Sequence, residues 1–188
     1  MKVIFLDHDG VICLAHNWGS RYKKRQKTKL AFAINDKENP VEFRFDNFDQ
    51  KAIKVLNTIL EETGAEIVVS SDWKRWATVE EMGEYYESKG IIKKPIAFTP
   101  DLAQCTVHGN LFIWSPDWDL EQCRSIEIKQ YLHDHPEITH WVAIDDLNMS
   151  REDGWKSWGL RNFILTPRKT EGIKQSGIKE KILKFLTD

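Results

Sequence analysis

Along much of this chain the apolar residues come in short unbroken runs instead of alternating with polar ones. Val3-Ile4-Phe5-Leu6, Ile67-Val68-Val69 and Trp141-Val142-Ala143-Ile144 each read as a strand buried on both faces. Residues 96–98 and 162–165 predict two shorter strands. Between these runs the spacing becomes helical. Phe48, Ala52, Val55, Leu56, Ile59 and Leu60 predict a helix over residues 48–62, stopped by Gly64. Thr78 and Glu81 have the spacing of a capping box, opening a helix that ends near Gly90. Residues 119–134 predict a helix halted before Pro136. Residues 174–186 predict a last one, with Ile178, Ile182 and Phe185 on one face.

Two stretches resist a single period. Residues 99–118 read as irregular. Within 11–46, two alternating segments, 30–34 and 41–45, flank Asn39-Pro40 and predict a hairpin. Strands that alternate with helices, and that are continuously apolar, indicate an α/β protein with a parallel sheet covered on both faces. In such sheets ligands bind beyond the carboxyl ends of the strands.

Composition narrows this picture. At 188 residues, 41% apolar and 30% charged, the chain suits one globular domain over residues 1–188. No apolar run reaches the length of a membrane span. The start is unlike a signal peptide, with Lys2 and only four apolar residues before Asp7. A cytoplasmic location is therefore expected, with no membrane contact and no obligate protein partner evident. Cys13, Cys105 and Cys123 are odd in number and lack CxxC spacing, which argues against a disulfide framework or zinc knuckle. The net charge of −2 gives no overall field for polyanions, yet six of the nine residues 21–29 are basic.

The candidate chemistry sits where the apolar runs stop. The first ends in Asp7-His8-Asp9-Gly10, the second in Ser70-Ser71, the third in Asp145-Asp146. In a parallel sheet all three ends meet at one edge. Carboxylates crowded there repel unless a cation offsets them, and oxygen ligands suit Mg²⁺. A phosphate monoester is an anion that resists anionic attack, so its cleavage needs a cation, donors for the phosphoryl oxygens, and positioning. Asp7 and Asp145 can hold the metal, and Ser70 can donate. Arg124 and Lys129 are the two basic candidates on the 119–134 helix. Taken singly each motif has a plainer reading: an acidic turn, a helix cap, a solvated helix residue. Together they favour an enzyme.

FLDHDG at 5–10, IVVSSDW at 67–73, a basic helix residue and VAIDD at 142–146 resemble the haloacid dehalogenase (HAD) superfamily of phosphohydrolases. With Arg124–Ile128, Phe163–Thr166 and Gly172-Ile173, the spacing is similar to the small HAD-type domains of RNA-repair proteins and their phage and bacterial relatives. The resemblance implies a Rossmann-like three-layer sandwich with a small insertion after the first strand. It implies Asp7 as nucleophile forming an aspartyl-phosphate, and Asp9 as general acid/base. It also implies Mg²⁺ held by Asp7, Asp9 (through its carbonyl), Asp145 and Asp146, and phosphate bound by Ser70, Ser71 and Arg124, with Lys129 competing.

On that reading residues 12–46 form a small cap over a fairly open site. Arg21, Lys23, Lys24, Arg25 and Lys27, with Tyr22, become candidate contacts for nucleic acid. The expected substrate is a phosphorylated small molecule or a nucleic-acid end; a 5′ and a 3′ phosphate are not distinguished. Trp73, Trp76, Trp114 and Trp118 could line the mouth, although a place in the core or at an interface is the commoner use of tryptophan. His8 points away from the aspartates by strand alternation, and His133-Asp134-His135 reads as a helix-end surface segment. The competing function is a phosphoacceptor or nucleic-acid-binding module without turnover.

Overall fold

The computed structural model describes residues 1–101, 106–107, 110–111, 119–150 and 158–188. Cys105, Trp114 and Trp118 lie outside these. In chain order the elements are β1 (Lys2–Leu6), α1 (Ser20–Lys27), α2 (Val41–Arg44), α3 (Gln50–Thr63), β2 (Glu66–Val69), α4 (Val79–Lys89) and β3 (Pro95–Phe98). A two-rung antiparallel pair, β4 (Thr106–Val107) and β5 (Asn110–Leu111), follows. The chain continues with α5 (Leu120–Asp134), β6 (His140–Asp145), β7 (Phe163–Leu165) and α6 (Ile178–Thr187).

Five strands form one all-parallel sheet in the order β3-β2-β1-β6-β7. Alternate residues of each strand face opposite layers, as strand geometry requires. Ile4, Leu6, Ile67, Val69, Val142, Ile144 and Ile164 pack with α3, α4 and α6. Val3, Phe5, Val68 and Ala143 pack with Ile128 and Tyr131 of α5 on the other side. The result is a Rossmann-like three-layer sandwich with β1 at its centre.

Local signals account for most helix boundaries. The Asp49 side chain accepts from the Ala52 N–H to open α3, and Gly64 closes it with φ +70°. Thr78 and Glu81 form the expected capping box. Asp119 caps α5 through the Gln122 N–H, 2.8 Å away. The last helix begins at Ile178, later than expected, because a short 3₁₀ turn (Gly172–Lys174) and Gly177 at φ +81° come first.

The expected hairpin over 30–34 and 41–45 does not form. Leu30 and Ile34 are exposed, so the alternation buries no face, and Val41–Arg44 is one turn of helix. The basic segment is instead α1, a helix with no buried residue. Contacts with the chain beside it hold it in place. Asp46 accepts from the N–H groups of Gly19 (2.9 Å) and Arg21 (2.8 Å), capping the helix from outside. Lys24 donates to the carbonyls of Glu42 and Phe45, and Arg25 to that of Phe43 and to Asp36. Arg44 forks onto both oxygens of Glu81, at 2.7 and 2.8 Å, tying the insertion to α4.

Candidate active site

The strand ladder itself brings the polar residues together. Past the last paired rungs, the Asp7 N–H donates to Ile144, the Ser70 N–H to Leu6, and the Thr166 N–H to Asp145. Asp7, Ser70, Asp145 and Thr166 therefore stand side by side at the carboxyl edge, and all four are buried. Directly after β1 the chain folds back tightly. The His8 carbonyl accepts from the N–H groups of Val11, Ile12 and Cys13 at 3.2, 3.0 and 2.7 Å. Gly10 takes φ +70°, and a Cβ there would lie 2.6 Å from Asp146 Oδ2. Only glycine allows both the turn and the approach of that carboxylate. The loop is also tied to the far end of the chain. The Thr166 hydroxyl donates to the Gly10 carbonyl at 3.2 Å, and the Ile173 N–H to that of Val11 at 3.0 Å. Gly172, at φ +55°, sits so close that a Cβ would strike the Val11 oxygen.

Carboxylate oxygens of Asp7, Asp145 and Asp146 lie within 4.8 Å of one another. Burial, and next Asp145, push the Asp7 carboxyl well above its usual range, against the pull of Arg124. Burial raises Asp145 as well, with Arg124 opposing. The Arg124 Nη1 is 3.1 Å from Asp7 Oδ1 and 2.9 Å from Asp145 Oδ2, and its Nη2 is 3.5 Å from Asp72 Oδ2. Burial pulls this guanidinium down, but Asp7 and Asp145 outweigh it and hold it above its ordinary range.

Of the two basic candidates on α5, Arg124 is the one that lines the site cavity and pairs with Asp7 and Asp145. Lys129 is five residues on, about 140° further round the helix, and is not among the residues lining the site cavity. That helix is braced by a second buried pair. Lys74 Nζ lies 2.7 Å from Glu127 Oε2, and it also donates to Thr99 and to the Pro100 carbonyl.

Asp9 is set apart from the cluster. Its Oδ2 accepts from the Trp73 indole N–H at 2.8 Å, and its side chain is not one of the three grouped carboxylates. The Trp73 ring is clamped between Phe45 (4.7 Å, 7°) and Phe48 (5.5 Å, 12°). Burial raises the Asp9 carboxyl and the Trp73 N–H pulls it back. His8 points to the other side, as alternation predicts, with Nε2 2.6 Å from the Tyr86 hydroxyl. Burial and then Arg124 push it down to about 3, so its ring is neutral. The Ser70 hydroxyl is buried and has no hydrogen-bond partner among the described residues. Ser71 accepts from the Trp73 N–H.

A cavity of about 220 Å³ opens over this edge. Its walls include Asp7, Asp9, Ser71, Arg124 and Asp146, together with residues that sequence reasoning passed over: Trp18, Asp72, Leu120 and Lys169. Lys169 Nζ is 2.8 Å from Asp146 Oδ2. It follows β7 in a loop with no recognisable motif, so only the fold reveals it. Asp72 belongs to the SSDW motif, but only its place in the cavity wall ties it to the site. A larger cavity, about 770 Å³, lies between β7 and α6 and contains none of these groups.

The structure adds detail at three further places. Trp73 is not an open aromatic surface at the mouth: it is buried, and its N–H is committed to Asp9, while Trp76 is exposed and away from the lining. The Asp9 side chain lies outside the group of three carboxylates, and the metal role expected of Asp9 is that of its backbone carbonyl. Among the basic residues of α1, Arg21, Lys24 and Arg25 spend side-chain donors inside the insertion, leaving Lys23 and Lys27 exposed. At the end of α5, His135 stacks on Tyr131 at 3.9 Å, consistent with a helix-end segment.

Fold and site together define a Rossmann-like α/β protein whose central strand ends in a buried acidic cluster braced by an arginine. The family model for the HAD domain in Swiss Army Knife RNA repair proteins matches residues 3–177, and the chain belongs to that family. No match was found among curated proteins or among solved structures. Family membership makes this a HAD-type phosphohydrolase or related module, carrying an acidic group able to bind a metal. Among the described residues no helix is long and apolar enough to cross a membrane.

Proposed function

We propose that this domain is a Mg²⁺-dependent phosphomonoesterase that removes a terminal phosphate from a nucleotide or nucleic-acid end through an aspartyl-phosphate on Asp7. The observation that carries this reading is the division of labour between the two aspartates of the DxD motif. Asp7 sits in the buried cluster under Arg124, whereas Asp9 stands apart on a Trp73 hydrogen bond.

The residues present fit a hard cation. Among the described residues the charges paired with Asp7, Asp72, Asp145 and Asp146 are Arg124, Lys169 and, at Asp72, Arg75, and the donors are all oxygen. Asp7, Asp145 and Asp146 would hold Mg²⁺, which when bound screens the phosphate charge from the attacking carboxylate. Asp7 attacks phosphorus as the bond to the leaving oxygen breaks, and Asp9 gives that oxygen its proton. Asp9 then takes a proton from water, which attacks phosphorus and releases phosphate and free Asp7. The Ser70 hydroxyl, buried without a partner, and the Arg124 fork supply donors for the phosphoryl oxygens. The named role of the family in RNA repair, with exposed Lys23 and Lys27 on α1, supports a nucleic-acid end as substrate.

The test is phosphate release from an aryl phosphate with Mg²⁺ or with chelator. Turnover is expected only with metal, and Asp7→Asn should abolish it. Full activity in Asp7→Asn would overturn the nucleophile assignment. Stable labelling of Asp7 without phosphate release would instead identify a phosphoacceptor module.

A further inference from the structure

The cavity has a charged floor but not a uniformly charged wall. Trp18 is 43% exposed and Leu120 45%, and both line the same space as Asp7 and Asp9. A large aromatic ring left open beside buried carboxylates is not explained by packing. Nor is the ring loosely placed. Its indole N–H donates to the Cys13 carbonyl at 3.3 Å, within the segment that follows β1. Gly19 next to it takes φ +77° and is tied to Asp46. The Lys169 ammonium lies 5.8 Å from the Trp18 ring centre while bridging to Asp146, so ring and acidic cluster share one cation.

The size of the cavity adds a constraint. At about 220 Å³ it is smaller than the roughly 300–1,000 Å³ of pockets that enclose a whole small molecule. It suits the end of a larger molecule: a phosphoryl group over Asp7 and the planar group next to it.

We infer that Trp18 is a stacking platform for the nucleobase adjacent to the scissile phosphate, which makes an unpaired, single-stranded terminal nucleotide the preferred substrate. This rests on the phosphomonoesterase reading above. The terminal base of a duplex is held in place by its pair and its one stacked neighbour, whereas an unpaired end can turn one face onto an aromatic ring without regard to sequence. Leu120 and the Lys169 charge complete a rim that is apolar where the base lies and positive near the phosphate.

The experiment compares kcat/KM for wild type, Trp18→Ala and Trp18→Phe on three substrates. These are a phosphorylated single-stranded oligonucleotide, a blunt duplex with the same phosphate, and ribose 5-phosphate, which has no base. Wild type should favour the single strand over both others. Trp18→Ala should lower the ratio of single strand to ribose 5-phosphate about tenfold, mainly through KM, in keeping with the loss of a stacked base. Trp18→Phe, which keeps an aromatic face, should restore most of that ratio, and it serves as the informative variant if alanine disturbs the loop. An unchanged ratio in Trp18→Ala, or equal wild-type activity on duplex and single strand, would overturn the inference. Wild type inactive on all three substrates would overturn the phosphomonoesterase reading itself.

Discussion

Removing the hydrogen bond between Trp73 and Asp9 should slow the second half of the reaction more than the first. In Trp73→Phe one aromatic ring stays between Phe45 and Phe48, but the N–H that reaches Asp9 Oδ2 at 2.8 Å is lost. A hydrogen bond to a charged group contributes about 1.5–3 kcal/mol. At about 1.4 kcal/mol per tenfold, that is a loss of roughly 10- to 150-fold in the step that depends on Asp9 as a base. The sign follows from the surroundings: burial raises this carboxyl, and the Trp73 N–H is the first influence holding it down. Without that donor the Asp9 carboxyl rises further, with the Cys13 thiol as its remaining side-chain donor, so at pH below the raised value less of it is ionised and able to take the proton from water. With 4-nitrophenyl phosphate the leaving group departs with little need of a proton, so formation of the intermediate should be nearly unaffected. Stopped-flow measurement should then show a burst of nitrophenolate followed by a slow steady state, with phosphate trapped on Asp7. A variant with unchanged steady-state rate and no burst would refute the role given to Trp73.

Other outcomes follow from single contacts. Gly10→Ala forces a Cβ against Asp146 at a left-handed φ; it should cost about 1–3 kcal/mol in urea unfolding. It should also weaken Mg²⁺ affinity measured by calorimetry. Lys74→Met leaves Glu127 buried and unpaired, a loss of about 3–5 kcal/mol in unfolding free energy. The double variant Lys74→Met/Glu127→Leu should recover much of that loss, and failure to recover would mean the pair is not what is being broken. Asp49 is held below its usual range because the Ala52 N–H and Lys174, with a lesser pull from His16, outweigh its burial. Its contribution is therefore present above about pH 4 and lost as pH falls through the lowered value. Asp49→Asn, which keeps a capping side chain, should be less stable than wild type by up to about 1 kcal/mol at neutral pH, with the difference vanishing in acid. Melting curves at both pH values check this.

The parallel sheet was legible because its strands are bare apolar runs, and the runs end where chemistry begins. Asp7, Ser70 and Asp145 needed only the assumption of parallel strands to be placed together, and the ladder places them so. The choice between Arg124 and Lys129 could not be made from spacing, since it depends on which face of α5 meets the sheet. The insertion was misread for a physical reason. Helix α1 buries nothing, so it leaves no apolar period, and its stability comes from Asp46 and the carbonyls of residues 42–45, which no local pattern announces. Trp18 and Lys169 lie in loops 151 positions apart and share a site because backbone ties, among them the Ala15 N–H to the Lys169 carbonyl, bring the two segments together. The aromatic clamp on Asp9 was invisible likewise, since Phe45, Phe48 and Trp73 belong to separate segments.

The ties from Thr166 and Ile173 to the loop after β1 bear on the order of synthesis. Asp7 and Asp9 come early in this domain, yet the loop that aims them is closed by partners more than 150 positions later. Contacts that distant form late, because the intervening chain must be ordered first. A nascent chain stalled before Thr166 would carry both aspartates without the backbone supports that set them against Asp146. The acidic cluster would thus be assembled only when the last strand of the sheet and the glycine turn beyond it dock.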